Sequence, residues 1–484
     1  MSNTSPKSPL KHQVIHSLKW VAAGKILTQI LRWVTTFWVI RLLTPEDYAL
    51  VAMADVLSGF IVLIISSLFS SAIIQKKELT NQILRKMFGA IICVHITLFI
   101  LQFLLATPVG NYYQSEGVTQ ILKVNAWCLV ILAFEVIPAA LLAKKMDFKA
   151  VSIIEAASNS IAAIATLIFA HLGFGFWSII YGQVLFTLLK TILTFSSNPF
   201  FYLPIFSFVE IKPMLKFGGS LSILSMLFYV FLHMDIVIAG RVMSHIEVGL
   251  YAVGLQIAMM PQKKIMPLLR QVAYPAFSTI QDSPILISSY VLKSQKLCLA
   301  ISLPIFWGLA SIVDSLIPII LGEKWIGAII PATLILLVMP LRFSEELFNP
   351  ALKSLLKIRH MFINAGILLL VITPAILIGV NYGSKGLGIA WALAFPIAYT
   401  LISFRNCRAF NIKILTFFKE ISSPFVAGLL MSLSLKLYSS EIEFSSSILL
   451  LLTQVLLGAF VYTTCLWVID KNLITQLKTL KNNK

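Results

Sequence analysis

The sequence predicts an all-α, polytopic membrane protein of about 14 transmembrane helices, and three observations lead to that class. Its 484 residues are 58% hydrophobic and 12% charged, whereas soluble domains carry about 25% charged residues. Apolar stretches fill nearly the whole chain, and each matches the roughly 20 residues that cross a hydrocarbon core about 30 Å thick. The lysines and arginines between these stretches fall almost entirely in alternate connections.

Spans are expected near 20–42, 48–70, 87–107, 121–143, 151–171, 174–195, 217–240, 248–269, 291–313, 326–349, 361–381, 386–404, 420–437 and 447–469. No interval between them is long enough for a soluble domain, although the length alone would suggest two or three. Residues 1–19 are polar and basic, and the apolar run after them is too long for a signal-peptide core. They are expected to form a cytoplasmic N-terminal segment.

The net charge of +18 would suit a nucleic-acid partner if it were concentrated. Instead it is spread over short loops, as the positive-inside rule requires. Lys76, Lys77, Arg85 and Lys86 follow the second span, Lys144, Lys145 and Lys149 the fourth, and Arg405, Arg408, Lys413 and Lys419 the twelfth. The intervening turns hold at most one base each, such as Arg41, Arg241 and Lys385. With an even number of spans, both termini are expected in the cytoplasm, residues 470–484 forming a basic tail. The five cysteines show no CxxC pairing and are read as small, buried apolar residues rather than metal or redox sites.

A repeat of about two hundred residues organises the spans. Arg41-Leu-Leu-Thr-Pro-Glu-Asp-Tyr-Ala-Leu-Val-Ala52 aligns with Arg241-Val-Met-Ser-His-Ile-Glu-Val-Gly-Leu-Tyr-Ala252, keeping the arginine, a hydroxyl residue, an acid, a small residue, leucine and alanine. A weaker echo pairs the turn at Gly173 with the turn at Gly383. Six spans separate equivalent positions, and six is even, so the repeat is parallel. Residues 20–195 are expected to form one six-helix bundle and 217–404 a second, an architecture in which transporters place the substrate path between halves. A loop at 405–419 leads to two additional spans within 420–469. Two longer connections, 196–216 and 270–290, mix aromatics, Pro and Lys and are expected to lie as amphipathic helices at the interface.

Charged side chains in hydrocarbon cost about 2.5–3.5 kcal/mol each on the insertion scale, so they face a protein interior or a wet cavity. The first span carries Lys25, Thr28, Gln29, Arg32 and Thr36 at helical spacing, which places them on one face. Arg32 lies near mid-span with no acid at i±3 or i±4; an anionic ligand, water or Asp55 on the next helix would satisfy it. Lys25, Gln29, Arg32, Lys190, Tyr229 and Arg342 are the candidates for lining a substrate path. Asp55, Glu135, Asp235 and His233 are the candidates for ion coupling.

Each has a structural alternative. Ser and Thr stripes glue helices together, Lys25 and Glu155 lie near span ends and can snorkel, and a lone histidine is usually a satisfied hydrogen bonder. In the tenth span Arg342, Glu345 and Glu346 can pair within one helix, as a structural cluster or as part of the path. The six intramembrane acids outnumber the four bases, so net sign alone does not identify the cargo.

No phosphate loop, HExxH, GxSxG or zinc-ligand pair is present. The chain is therefore read as a transporter with no catalytic residue, metal or cofactor, driven by an ion gradient, the substrate's own gradient or a partner.

Several turns resemble those of Wzx-type polysaccharide flippases: the lead into Lys19-Trp20, Arg41-Leu-Leu-Thr-Pro-Glu-Asp-Tyr48, Ser71-Ala-Ile-Ile-Gln75, Ala139-Ala-Leu-Leu-Ala-Lys-Lys-Met-Asp-Phe-Lys149, Gly173-Phe-Gly-Phe-Trp-Ser178, and Asp235-Ile-Val-Ile-Ala-Gly-Arg241 leading to Gly249-Leu-Tyr-Ala252. The likeness covers roughly residues 15–410 and is greatest to the colanic acid and exopolysaccharide branch. It implies a member of the multidrug/oligosaccharidyl-lipid/polysaccharide exporter superfamily, with two bundles around a V-shaped chamber in a bacterial cytoplasmic membrane. It also implies a cargo of polyprenyl-pyrophosphate-linked oligosaccharide for surface or exopolysaccharide synthesis, with Lys25, Arg32, Lys190 and Arg342 facing the pyrophosphate. Partners would be membrane lipids and assembly proteins such as a polysaccharide polymerase.

The alternative within the superfamily is a cation- or proton-coupled drug or metabolite antiporter using Asp55 or Asp235. A membrane-embedded enzyme would want a large outside loop with clustered Arg, His or Asp, and these turns are short. A scaffold for glycan assembly would have little use for intramembrane charge.

Overall fold

The computed structural model describes residues 28–75, 80–145, 147–207, 209–441 and 447–471. Regular structure among them is entirely helical. The order is α1 (28–42), α2 (Pro45–Gln75), α3 (Asn81–Tyr112), α4 (Glu116–Ala133), α5 (Val136–Lys144), α6 (Phe148–His171), α7 (Trp177–Ser197) and α8 (Lys212–Val242). It continues with α9 (His245–Thr279), α10 (Pro284–Ile320), α11 (Ile329–Ser354), α12 (Ile358–Gly379), α13 (Gly383–Ala409), α14 (Ile414–Glu441) and α15 (Ser447–Ile469). The chain is a polytopic helical membrane protein. Ten segments among the described residues are long and apolar enough to cross a bilayer. Each expected span meets a helix, the fourth being shared by α4 and α5.

That break has a local cause. Pro138 lacks the N–H that would bond the carbonyl four residues back, and its ring crowds that carbonyl. The helix therefore stops at Ala133, and Phe134 and Glu135 close a turn onto the carbonyls of Ile131 and Leu132 at 3.2 and 3.0 Å. Other starts follow capping rules: the side chains of Thr80, Ser115, Asp147 and Ser283 accept from backbone N–H groups three residues on.

Packing divides the chain into two compact units that meet inside α8, one ending at Val230 and the other beginning at Phe231. In the first unit, Phe69, Met87, Phe88 and Ile137 form a core with Phe200 and Ile211 from the connection after α7. That connection departs from expectation. Residues 199–207 have no regular secondary structure and form no amphipathic helix, because Pro199 and Pro204 deny a helix its hydrogen bonds. Their backbone is instead strapped to α3: Ile205 donates to the Arg85 carbonyl at 3.0 Å, and Arg85 returns a bond to the Leu203 carbonyl at 2.9 Å. Lys86 pairs with Glu210 at 2.6 Å.

Gly89 makes this strap possible, since a Cβ there would fall inside the van der Waals shell of the Ile205 carbonyl oxygen. Gly89→Ala is expected to destabilise the first unit by about 1–3 kcal/mol, the usual cost of overpacking. A lowered melting temperature of the purified protein, with unchanged helix content, is the check.

The 270–290 region also departs from expectation. It is no separate interfacial helix: α9 runs on to Thr279 and α10 starts at Pro284. The second unit includes the two additional helices. Lys296 of α10 reaches Glu420 of α14 at 3.1 Å and Asp470, just past α15, at 2.6 Å. Ser423 donates to the same Asp470 carboxylate at 3.0 Å.

The repeated turns are joined to each other within each unit. Asp47 and Thr44 form a reciprocal cap at the start of α2, with bonds of 2.8–3.2 Å. The second Asp47 oxygen accepts the Phe176 N–H, 2.9 Å away, at the start of α7. In the second unit Ser244 accepts the Glu247 N–H at 3.3 Å, and Glu247 accepts the Ser384 N–H at 2.7 Å at the start of α13. The glycine before each donor N–H has positive φ, +55° at Gly175 and +69° at Gly383. The sequence echo is thereby corrected by two residues: Gly175, not Gly173, is the counterpart of Gly383.

Candidate functional site: a charged cluster in each unit

In the first unit, the turn between α4 and α5 presents Glu135 to α7. Its Oε1 meets Lys190 Nζ at 2.8 Å, with Glu135 8% and Lys190 30% exposed by side chain. Lys190 also stands over the Phe186 ring one turn before it, at 5.9 Å. Glu135 Oε2 is buried with no partner among the described residues. The two candidates thus form one ion pair, sealed on the acid's side and partly open on the amine's. An ion pair inside hydrocarbon-length helices cancels most of the cost of either charge alone, provided both stay.

Arg32 is exposed on α1 and joins no ion pair among the described residues; the pairing with Asp55 does not form. Asp55 is exposed on α2, and its backbone carbonyl, not its carboxylate, accepts the Tyr229 hydroxyl at 3.0 Å. Tyr229 rests over Gly59, with its ring 5.9 Å from that of Phe60. Its hydroxyl is therefore committed to α2 in this state. Gln29 is half-buried on α1. Lys25 lies outside the described residues.

In the second unit, Asp235 of α8 is fully buried. Its Oδ2 accepts the Tyr251 hydroxyl at 2.5 Å and the Trp391 indole N–H at 3.3 Å, and its Oδ1 accepts the Ile236 N–H at 2.8 Å. Trp391 also donates to the Tyr251 oxygen at 2.9 Å. The Arg342 guanidinium, 5% exposed, lies 4.8 Å from the Trp391 ring centre, a cation–π contact that gains strength without water. One of its nitrogens has no partner among the described residues. Four helices, α8, α9, α11 and α13, thus build one closed cluster around an acid and a base.

Two expectations change here. Arg342 does not pair with Glu346 along α11. Glu346 turns to α9, where it forms an ion pair with Arg270 and accepts from Gln262 at 2.9 Å. Glu345 is buried on the same helix. His233 is half-buried two residues before Asp235. The cysteines divide as well, with Cys128, Cys298 and Cys407 buried, Cys465 intermediate and Cys93 exposed. Tyr251 and Trp391 were not singled out from the sequence, although a Tyr and a Trp within apolar spans each need a polar partner when buried.

Residues 39–330 match the model of a family described as polysaccharide biosynthesis protein. The chain is 25% identical to the lipopolysaccharide biosynthesis protein WzxC of Escherichia coli K12, over 69% of this chain and 68% of that protein. It is 20% identical to the succinoglycan biosynthesis transport protein ExoT of Rhizobium meliloti, over 96% and 94%. Among solved structures it is similar to the lipid II flippase MurJ in an inward closed conformation, with a TM-score of 0.75 and 15% identity over 94% of this chain and 99% of that one.

Proposed function

Because the chain belongs to the polysaccharide biosynthesis protein family, we propose that it is a flippase, carrying lipid-linked oligosaccharide units across the bacterial cytoplasmic membrane for surface or exopolysaccharide synthesis. It carries and does not catalyse. The observation that supports this most is cationic: Lys190, half-open beside a sealed Glu135, and Arg32, exposed on a membrane-span helix. Such groups mark polar paths in membranes. A polyprenyl-pyrophosphate-linked glycan has a head too polar to enter hydrocarbon unaided and a diphosphate that a guanidinium can hold with two parallel bonds. The fully enclosed Asp235 offers no open oxygen to a passing ion, so the antiporter reading gains no support from it.

Deleting the gene in its host tests the proposal. Lipid-linked units are expected to accumulate on the cytoplasmic leaflet while surface glycan disappears. Normal glycan with new drug sensitivity would instead favour the antiporter.

Arg32→Ala is expected to abolish export at normal protein abundance, because no ion-pair partner among the described residues is stranded by its removal. Arg32→Lys keeps the charge but loses the fork and is expected to retain partial export. Quantifying surface glycan against immunoblotted protein checks both, and full export by Arg32→Ala removes the residue from the cargo path. Both termini are proposed to be cytoplasmic. Reporter fusions after Lys149, Lys357 and Lys471 should then read as cytoplasmic, and fusions at Glu116 and Lys385 as the opposite side.

A further inference from the structure

We propose that Asp47 and Glu247 are positioning residues for transport: each fastens, at the lysine-poor end of its unit, two helices that carry charged or polar residues deeper in the membrane. Each carboxylate stands at two helix N-termini, Asp47 bonding both and Glu247 sitting in the first turn of one and bonding the other. Asp47 caps α2 and accepts from the turn that opens α7. Glu247, on the first turn of α9, accepts from the first turn of α13. Two helix N-termini side by side repel, since each carries a partial positive charge, and a shared carboxylate turns that repulsion into attraction.

The glycines complete the device. A side chain at Gly175 or Gly383 would be strained by the positive φ, and its Cβ would crowd the carboxylate oxygen, at 2.9 and 3.1 Å. The same arrangement in two units of unlike sequence argues that the contact itself is what is kept.

Geometry links the clamp to the cluster most directly in the second unit. Tyr251 lies four residues after Glu247, on the same face of α9, and Trp391 lies seven after Ser384, on the same face of α13. The seam closed by Glu247 is the seam across which Trp391 donates to Tyr251. In the first unit, α2 carries Asp55 and α7 carries Lys190. If the clamp sets their register, these helix pairs stay joined at the lysine-poor end through the whole cycle, and the moving parts lie elsewhere.

The test rests on the flippase reading for its transport readout and is independent of it for its distance readout. In a cysteine-free background, Glu46→Cys and Phe174→Cys are joined by a short bis-maleimide, and new surface glycan is measured before and after. The joined protein is expected to export as well as the unjoined one; loss of export on joining would show that the seam opens and overturn the proposal.

In parallel, spin labels at Leu268→Cys on α9 and Leu401→Cys on α13 report the separation of the second pair in purified protein. Glu247→Ala is expected to broaden that distance and to lower export per inserted molecule roughly five-fold, the scale of one lost N-cap. Glu247→Gln, which keeps an acceptor oxygen but loses the charge, is expected to restore both in part. An unchanged distance with full export in Glu247→Ala would refute the positioning role. A deletion strain with normal glycan would remove the flippase reading, yet the distance measurement would still decide the clamp.

Discussion

Asp235→Ala is expected to remove most of the protein from the membrane. The substitution leaves the Tyr251 hydroxyl and the Trp391 indole N–H without their acceptor and takes away a negative charge near the buried Arg342, which makes no direct ion pair with it among the described residues. Leaving a buried donor unsatisfied costs about 1–3 kcal/mol, more beside a charge, and each 1.4 kcal/mol is about a factor of ten in a folding equilibrium. Asp235→Asn keeps an acceptor for Tyr251 and Trp391, so its loss should be smaller. The informative variant is Asp235→Asn with Arg342→Met, which removes both charges and keeps the volume. It is expected to recover abundance and export, because the cluster is closed and serves as a brace between four helices. Abundance without export would instead assign Asp235 an ion-coupling task. Immunoblots of membranes and surface glycan from the same cultures separate these results.

Lys190 predicts the opposite pattern. Lys190→Met strands Glu135, whose second oxygen already lacks a partner among the described residues, and abundance should fall by about 3–5 kcal/mol. Adding Glu135→Leu removes the stranded acid and should restore abundance. Export should not return, because the half-open ammonium is then missing from the path. A double variant that exports fully would show the pair to be packing alone.

The two clusters differ in how far the sequence announced them. Apolar run lengths locate the helices because a span must close all its hydrogen bonds within itself, and that constraint is local. Pro138 and Pro204 also gave local warning, of the broken fourth span and of the non-helical strap, each through a missing N–H. The meeting of Asp235 with Arg342 is different. It depends on how α8, α9, α11 and α13 rotate about their axes, and no spacing within one helix encodes that. For the same reason Arg342 and Glu346 look like partners along α11 but face different neighbours. Asp47 and Glu247 fall between these cases. Their place three residues after a hydroxyl marks a helix start, while the distant turn each one grips becomes visible only in three dimensions.

The Lys296 contacts impose a timetable on synthesis. Lys296 and Glu420 are 124 residues apart, and Asp470 follows later still. At the usual 5–20 residues per second, the ribosome needs on the order of ten seconds to deliver the first of these acids. Until then Lys296, near the proposed cytoplasmic end of its span, lacks both of these carboxylates. The last hairpin to emerge therefore acts as the fastener of the whole second unit, and a chain stopped short of it would present quality-control proteases with an uncompensated charge instead of a finished fold.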